Sequence, residues 1–284
     1  MSPPPSFELF ALPPAARSAA AVLRGFSRGA LLLLLVALVR ASDPPLTPLA
    51  LAEGLALFAL APELAARALL RAYAARAVVT GAQLMIERSD LALRIPLSSI
   101  ASAHAALVPL PLPNLTLTLR SGARAPVRLA LPNPHALLDA LAGAGCEAAR
   151  DALASLPVRF AAARAAFGRP WWTRWPARIA AFALLPGFVG FNAHQHIAFG
   201  ALLGEYYVSG LRAWLLSASV HYATAALYLV LWSALWRAVC EGVALIGAQR
   251  SAASAVRTRG LGEHVTGAIY YASVPSMIAL RFLA

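Results

Sequence analysis

Asn114-Leu-Thr-Leu-Thr-Leu-Arg120 alternates leucine with polar residues, the period of two expected of a strand with one buried and one wet face. The alternation recurs at Leu91, Leu93 and Ile95 and again at Val127, Leu129 and Leu131, so the stretch from Val78 to Leu131 reads as an antiparallel meander. Ser89-Asp90 and Ser121-Gly122 punctuate the runs with residues that tolerate turn geometry. Asn133-Pro134 then starts a helix, asparagine as N-cap and proline at the first helical position, and Gly143 and Gly145 end it. This is the one part of the chain that reads as strands.

On both sides of it the chain turns apolar. With 284 residues, 60% apolar and only 13% charged, the composition is far from the soluble average and points to a bilayer as solvent. Residues 1–18 carry Pro3, Pro4, Pro5, Pro13 and Pro14 and read as a loose N-terminal tail. Residues 19–76 read as a first transmembrane hairpin, one span from Ala19 whose arginines snorkel and a second from Leu46 to Leu70. Val39-Arg40-Ala41 also suits signal-peptide cleavage, so residues 19–41 have two readings, a retained span or a leader. The β domain takes residues 77–145, and residues 146–177 read as an amphipathic juxtamembrane helical linker interrupted by Pro157.

Residues 178–284 read as a C-terminal transmembrane region. A third span starts near Ile179 with a kink at Pro186-Gly187, and Trp214 to Trp236, about 33 Å of helix, fits a fourth crossing. Val265–Leu280, with Pro275 inside, is a marginal fifth. Trp171, Trp172 and Trp175 make an interface belt with Arg169, Arg174 and Arg178, and Trp214 and Trp236 mark the two ends of the next crossing. Fourteen arginines between Arg17 and Arg259 lie near the proposed inner ends, against Arg40, Arg212 and Arg281 outside, which places the β domain in the cytoplasm. The expected class is therefore an α+β membrane protein: an α-helical bundle of four to five spans with an inserted antiparallel β domain closed by a helix.

All 24 basic residues are arginine. The absence of lysine removes phosphate-loop lysines and Schiff-base chemistry, and the net charge of +12 is what a multispanning protein with cytoplasmic arginines shows, so it makes no case for nucleic acid. Cys146 and Cys240 stand far apart, which excludes a CxxC pair and a cysteine zinc cage and argues against a disulfide. Gly260-Leu-Gly262 lacks the third glycine of a dinucleotide loop, and no HExxH, GxSxG or kinase signature occurs. No catalysis is expected.

Val78-Val-Thr-Gly-Ala-Gln-Leu-Met-Ile-Glu-Arg88, followed by Leu93-Arg-Ile-Pro-Leu-Ser-Ser-Ile100 and the helix from Pro134 to Leu141, resembles bacterial PH-like domains over about residues 77–145. The resemblance implies a curved sheet capped by a C-terminal helix in a multi-pass inner-membrane protein. Phosphoinositide-binding PH domains carry a basic loop between their first two strands, and here that loop is Gly81-Ala82, so specific headgroup binding is not implied. The expected role is that of a scaffold or regulator presenting the module to a protein partner or to the anionic leaflet.

Two sets of side chains are candidates for more. Arg94, Arg120 and Arg128 lie on the polar sides of three strands and suit one basic face toward anionic lipid or a partner, or equally an ordinary solvated face. Pro109, Pro111 and Pro113 cannot donate to a ladder and read as an edge guard or a docking loop. Glu53, His221 and one of His194 and His196 fall at similar depth near the outer ends of three spans, where they suit a divalent metal, haem or a proton relay as the alternative to simple interhelical hydrogen bonding. His135 and Asp139, one turn apart on the capping helix, read as an incidental pair.

Overall fold

A computed structural model describes residues 4–40, 47–106, 108–166 and 175–283, without the side chains of 175–178 and 277–283. The protein is α+β, built on a seven-stranded antiparallel curled sheet. The strands are β1 (Ser6–Leu12), β2 (Ala74–Thr80), β3 (Gln83–Arg88), β4 (Leu91–Pro96), β5 (Ile100–Ala105), β6 (Asn114–Leu119) and β7 (Arg128–Ala130), in the order β4-β3-β2-β1-β7-β6-β5. The alternating runs form β4, β6 and the region of β7, and the two-residue turns fall at Gly81-Ala82 and Ser89-Asp90.

The expected loose tail is instead the central strand. β1 pairs with β2 on one side, Ser6 opposite Val78 through Phe10 opposite Ala74, and with β7 on the other, Leu12 opposite Arg128. Its prolines lie outside the strand, where no ladder hydrogen bond is lost. Immediately after β1 the chain enters α1 (Pro14–Arg40), and it returns through α2 (Pro48–Gly54), a π-helical turn (Leu55–Leu60) and α3 (Ala61–Ala72) directly into β2. The apolar hairpin is thus an insertion between two neighbouring strands, and the β domain starts before it rather than at residue 77.

The sheet's concave face holds Leu9, Ala11, Leu84, Ile86, Leu115, Leu117 and Leu129, all buried. Over this face lie α4 (Pro134–Gly143), which contributes Leu137, Leu138 and Leu141, and α5 (Glu147–Leu153), which contributes Ala148, Ala149 and Ala152. Each such leucine stabilises the fold by about 2 kcal/mol relative to exposure. Pro134 opens α4 and Gly145 follows it with φ +92°, as the sequence expects. The expected juxtamembrane linker is corrected here: α5 is part of the core, the break falls at Ala154-Ser155, and Pro157 sits in the first turn of α6 (Leu156–Ala166), where its missing N–H costs nothing.

The other face is divided. Phe10, Leu12 and Ala130 are covered by Ala16, Ala20, Leu69, Leu70 and Tyr73 from the bases of α1 and α3, whereas the far end stays wet. There Glu8 lies opposite Arg76 and Arg76 opposite Glu87, a ladder of alternating charge across three strands.

The remaining helices are α7 (Trp175–Phe182), α8 (Leu184–Phe199), α9 (Gly204–Arg250) and α10 (Ala252–Leu283). Among the described residues three segments are long and apolar enough to cross a membrane, Pro14–Arg40, Pro48–Ala72 and Gly204–Arg250, fewer than the four to five spans expected. The third expected span breaks at Ala183, three residues before Pro186, whose missing N–H cannot bond to Phe182, and each piece is short. The expected fifth span lies within α10, whose first half carries Arg257, Arg259 and Glu263. Contacts divide the chain into two compact units, Met1–Ala30 with Ala56–Phe167 and Glu241–Gly262, and Leu31–Leu55 with Gly168–Cys240 and Glu263–Ala284.

Candidate functional site

The polar groups expected at the outer ends of the spans are partly assembled in the second unit. The turn that makes this possible is built by glycine and glutamine: Gly200 closes α8 at φ +77°, and fully buried Gln195 reaches across the turn to α9. Its Nε2 donates to Glu205 Oε2 and its Oε1 accepts from the Glu205 backbone N–H at 3.3 Å. Trp214 Nε1 donates to the Leu202 carbonyl at 3.0 Å, and its ring meets Phe191 edge-on at 5.1 Å. Gly210, at φ +83° and ψ 171°, breaks α9 between this turn and the long helical stretch that follows.

His194 and His221 face each other across this hairpin, ring centroids 5.1 Å apart. Gly187 allows the approach, since a Cβ there would lie 3.0 Å from the Tyr222 Cα. His221 Nδ1 lies 2.8 Å from the Ser217 carbonyl, an acceptor, so Nδ1–H is the donor. His194, Glu205, Ser217 and His221 line a cavity of about 370 Å³ whose other walls are Ala213, Leu216 and Val220. Chemically it is acceptor-rich, and among the described residues no arginine lines it.

Of the expected set, His194 and His221 come together on one cavity, whereas His196 and Glu53 do not line it. Glu205 takes the acidic place, brought in by a turn whose geometry depth counting does not see. Among the described residues, no three His, Cys, Asp or Glu side chains are grouped to hold a metal ion.

The arginines of the sheet are dispersed. Register puts Arg94 and Arg128 on the same face, but β3, β2 and β1 separate them, roughly 19 Å at about 4.8 Å per strand, and Glu8 and Glu87 lie on that face. Arg128 is half-buried and faces Arg17 at the base of α1, and Arg120 is exposed in the turn after β6. A single basic face is not formed. Of the interface tryptophans, Trp236 packs edge-on against Trp232 at 5.5 Å, and Trp232 Nε1 donates to Ser273 Oγ at 3.1 Å. Trp171 and Trp172 lie outside the described residues, as does the side chain of Trp175.

Three arginines do structural work that the alternation pattern hides. Buried Arg24 on α1 donates to the Pro111 carbonyl and pairs with Glu63 on α3 at 3.4 Å, and Ser27 donates to the Ala59 carbonyl at 2.6 Å, where the ladder widens ahead of Pro62. The proline series therefore docks on the chain's own α1. Arg88 holds Asp90 with two hydrogen bonds, donates to the Ala11 carbonyl at 2.8 Å and lies over the Tyr73 ring. The Arg88 guanidinium holds the Asp90 carboxyl below the usual aspartate range, and Asp90 in turn raises Arg88. Arg259, buried on α10, forks onto Glu241 of α9 at 2.9 and 3.2 Å, with Arg164 of α6 3.8 Å away.

Comparison with family models, with curated proteins and with solved structures finds no match in any of the three.

Proposed function

We propose that the chain is a multispanning bacterial inner-membrane protein whose cytoplasmic β module, PH-like in its seven strands and closing helices, serves as a scaffold or regulatory platform for a protein partner or the anionic leaflet, without catalysis of its own. The observation that carries this reading is the insertion of the apolar hairpin between β1 and β2. A sheet whose central strands continue directly into apolar helices holds a fixed position at the bilayer, and the wet end of its outer face and the exposed edge strand β4 are then the surfaces available to a partner. The pairing of β1 with β2 also requires α1 to begin and α3 to end on the same side of the membrane. The fit of Arg24 and Ser27 into this base favours residues 19–41 as a retained span.

Two measurements test the reading. A reporter inserted after Gly122 in the full chain is expected to be active only as a cytoplasmic fusion, and activity confined to the periplasm overturns the topology. A photo-crosslinker at Arg94 is expected to capture a discrete protein or lipid adduct in cells, and a uniformly uncrosslinked chain overturns the platform role.

A second reading rests on the His194–His221 pair, which suits a divalent ion held by the two imidazoles and completed by water, or a proton relay with Glu205 on the same cavity wall. The rings as they stand leave no gap for a porphyrin plane between them, so haem is the less suitable occupant. Metal analysis of the purified full chain, repeated on His221→Leu, decides whether the pair holds an ion.

A further inference from the structure

A second cavity, of about 320 Å³, lies wholly within the first unit and belongs to neither reading above. It opens between α4, α5, α6 and the first turn of α10. Its walls are mostly small and apolar, Ala162, Ala166, Ala253 and Val256 among them, and its polar lining consists of Arg159 and His135. Among the described residues no acidic side chain lines it.

Arg159 is the unusual member. Its Nε is buried without a hydrogen-bond partner, and among the described residues its guanidinium has neither an ion pair nor a side-chain hydrogen bond. The two buried arginines of this unit are matched to carboxylates, Arg24 to Glu63 and Arg259 to Glu241, whereas Arg159 and Arg17 are half-buried with no such match among the described residues, and of these two only Arg159 lines a cavity. The buried Nε–H of Arg159 without an acceptor is costly, since an unmet charged donor forfeits more than a neutral one, and the rest of the guanidinium is left free to meet an acceptor in the cavity. His135, exposed at the rim, adds a second donor, and the start of α10 contributes the positive end of its dipole.

We infer that this cavity binds an amphipathic anion: a phosphate or carboxylate group held by Arg159 and His135, with a short apolar body against the alanine wall. The charge requirement comes from Arg159, and the apolar body from the lining, which would leave a bare inorganic anion with few contacts. The same chemistry can arrive as a soluble organic phosphate or as the end of an anionic lipid.

The test uses the full chain in zwitterionic nanodiscs, with hexyl phosphate in solution as one probe and phosphatidic acid in the disc as the other. Saturable binding of at least one probe is expected. Inorganic phosphate and hexanol should each bind at least about tenfold more weakly than hexyl phosphate. Arg159→Gln should weaken binding by about tenfold or more, the loss of one charged hydrogen-bonding partner, and Arg159→Lys should retain most of it. Ala253→Leu, which fills the cavity while leaving the charge, should also weaken it, so that loss of fold in one variant does not decide the outcome. Binding of hexyl phosphate identifies a soluble ligand, and binding of phosphatidic acid alone identifies a lipid. No saturable binding of either probe, or binding indifferent to both Arg159→Gln and Ala253→Leu, overturns the inference.

Discussion

Helices join the β unit in two different ways. α1 and α3 are continuous in backbone with β1 and β2, Ala11 N–H donating to the Tyr73 carbonyl at the point where strand becomes helix. The end of α9 and the start of α10 join by side-chain packing, Phe160 and Ala163 of α6 against Ala244, Ala248 and Ala255, with Glu241 between Arg164 and Arg259. The first junction cannot separate without breaking the sheet. The second can loosen while every strand stays paired, which makes it the place where a signal could pass without unfolding.

The comparison is broken most directly by removing β1. Deletion of residues 4–12 opens the sheet between β2 and β7, and the β unit is expected to lose protease resistance entirely; a deletion variant cut as slowly as the full chain would show that the fused junction is dispensable. Next, Glu63→Gln leaves Arg24 buried beside a neutral partner. It should destabilise the unit by about 2–3 kcal/mol in denaturant titration, below the cost of a fully buried pair because Glu63 keeps some exposure.

The packed junction should respond locally. Glu241→Gln is expected to raise hydrogen exchange in α6 and in the first turns of α10 while leaving β1 and β2 protected. Equal deprotection of the strands would erase the distinction between the junctions. The smallest effect is at Arg88–Asp90, which lies on the surface near the fused junction. Because Asp90 titrates below its unfolded value, the contact stabilises at pH above the usual aspartate range and is lost as pH falls through the lowered value. Asp90→Asn should therefore lower Tm slightly at neutral pH, and the difference from wild type should vanish in strong acid.

Where sequence reading succeeded, a residue's environment followed its own period. Leu115, Leu117 and Leu129 face a dry interior while Thr116, Thr118 and Arg128 stay partly exposed, so the alternation is visible. β1 escaped because Phe10 and Leu12 face the helix bases as Leu9 and Ala11 face the core; buried on both sides, Leu9-Phe-Ala-Leu12 has no alternation to read. Depth along a helix brings His194 and His221 to one level but leaves rotation open, and Glu53, at similar depth by the same count, does not line their cavity. Gln195 and Glu205 needed the Gly200 turn to meet, a tertiary fact with no periodic trace. Arg94, Arg120 and Arg128 each show a polar side, but only strand order reveals how far apart they lie.

The insertion between β1 and β2 also sets a timetable for biosynthesis. β1 leaves the ribosome first, yet β7, which completes its pairing, follows roughly 115 positions later, a long loop to close. In the interval the new chain makes an apolar hairpin long enough to cross a bilayer while Phe7, Leu9 and Ala11 have no sheet to join. The hairpin therefore emerges before the sheet can close, and a chain arrested at that stage is left with an unpaired central strand, a template for aggregation rather than for folding.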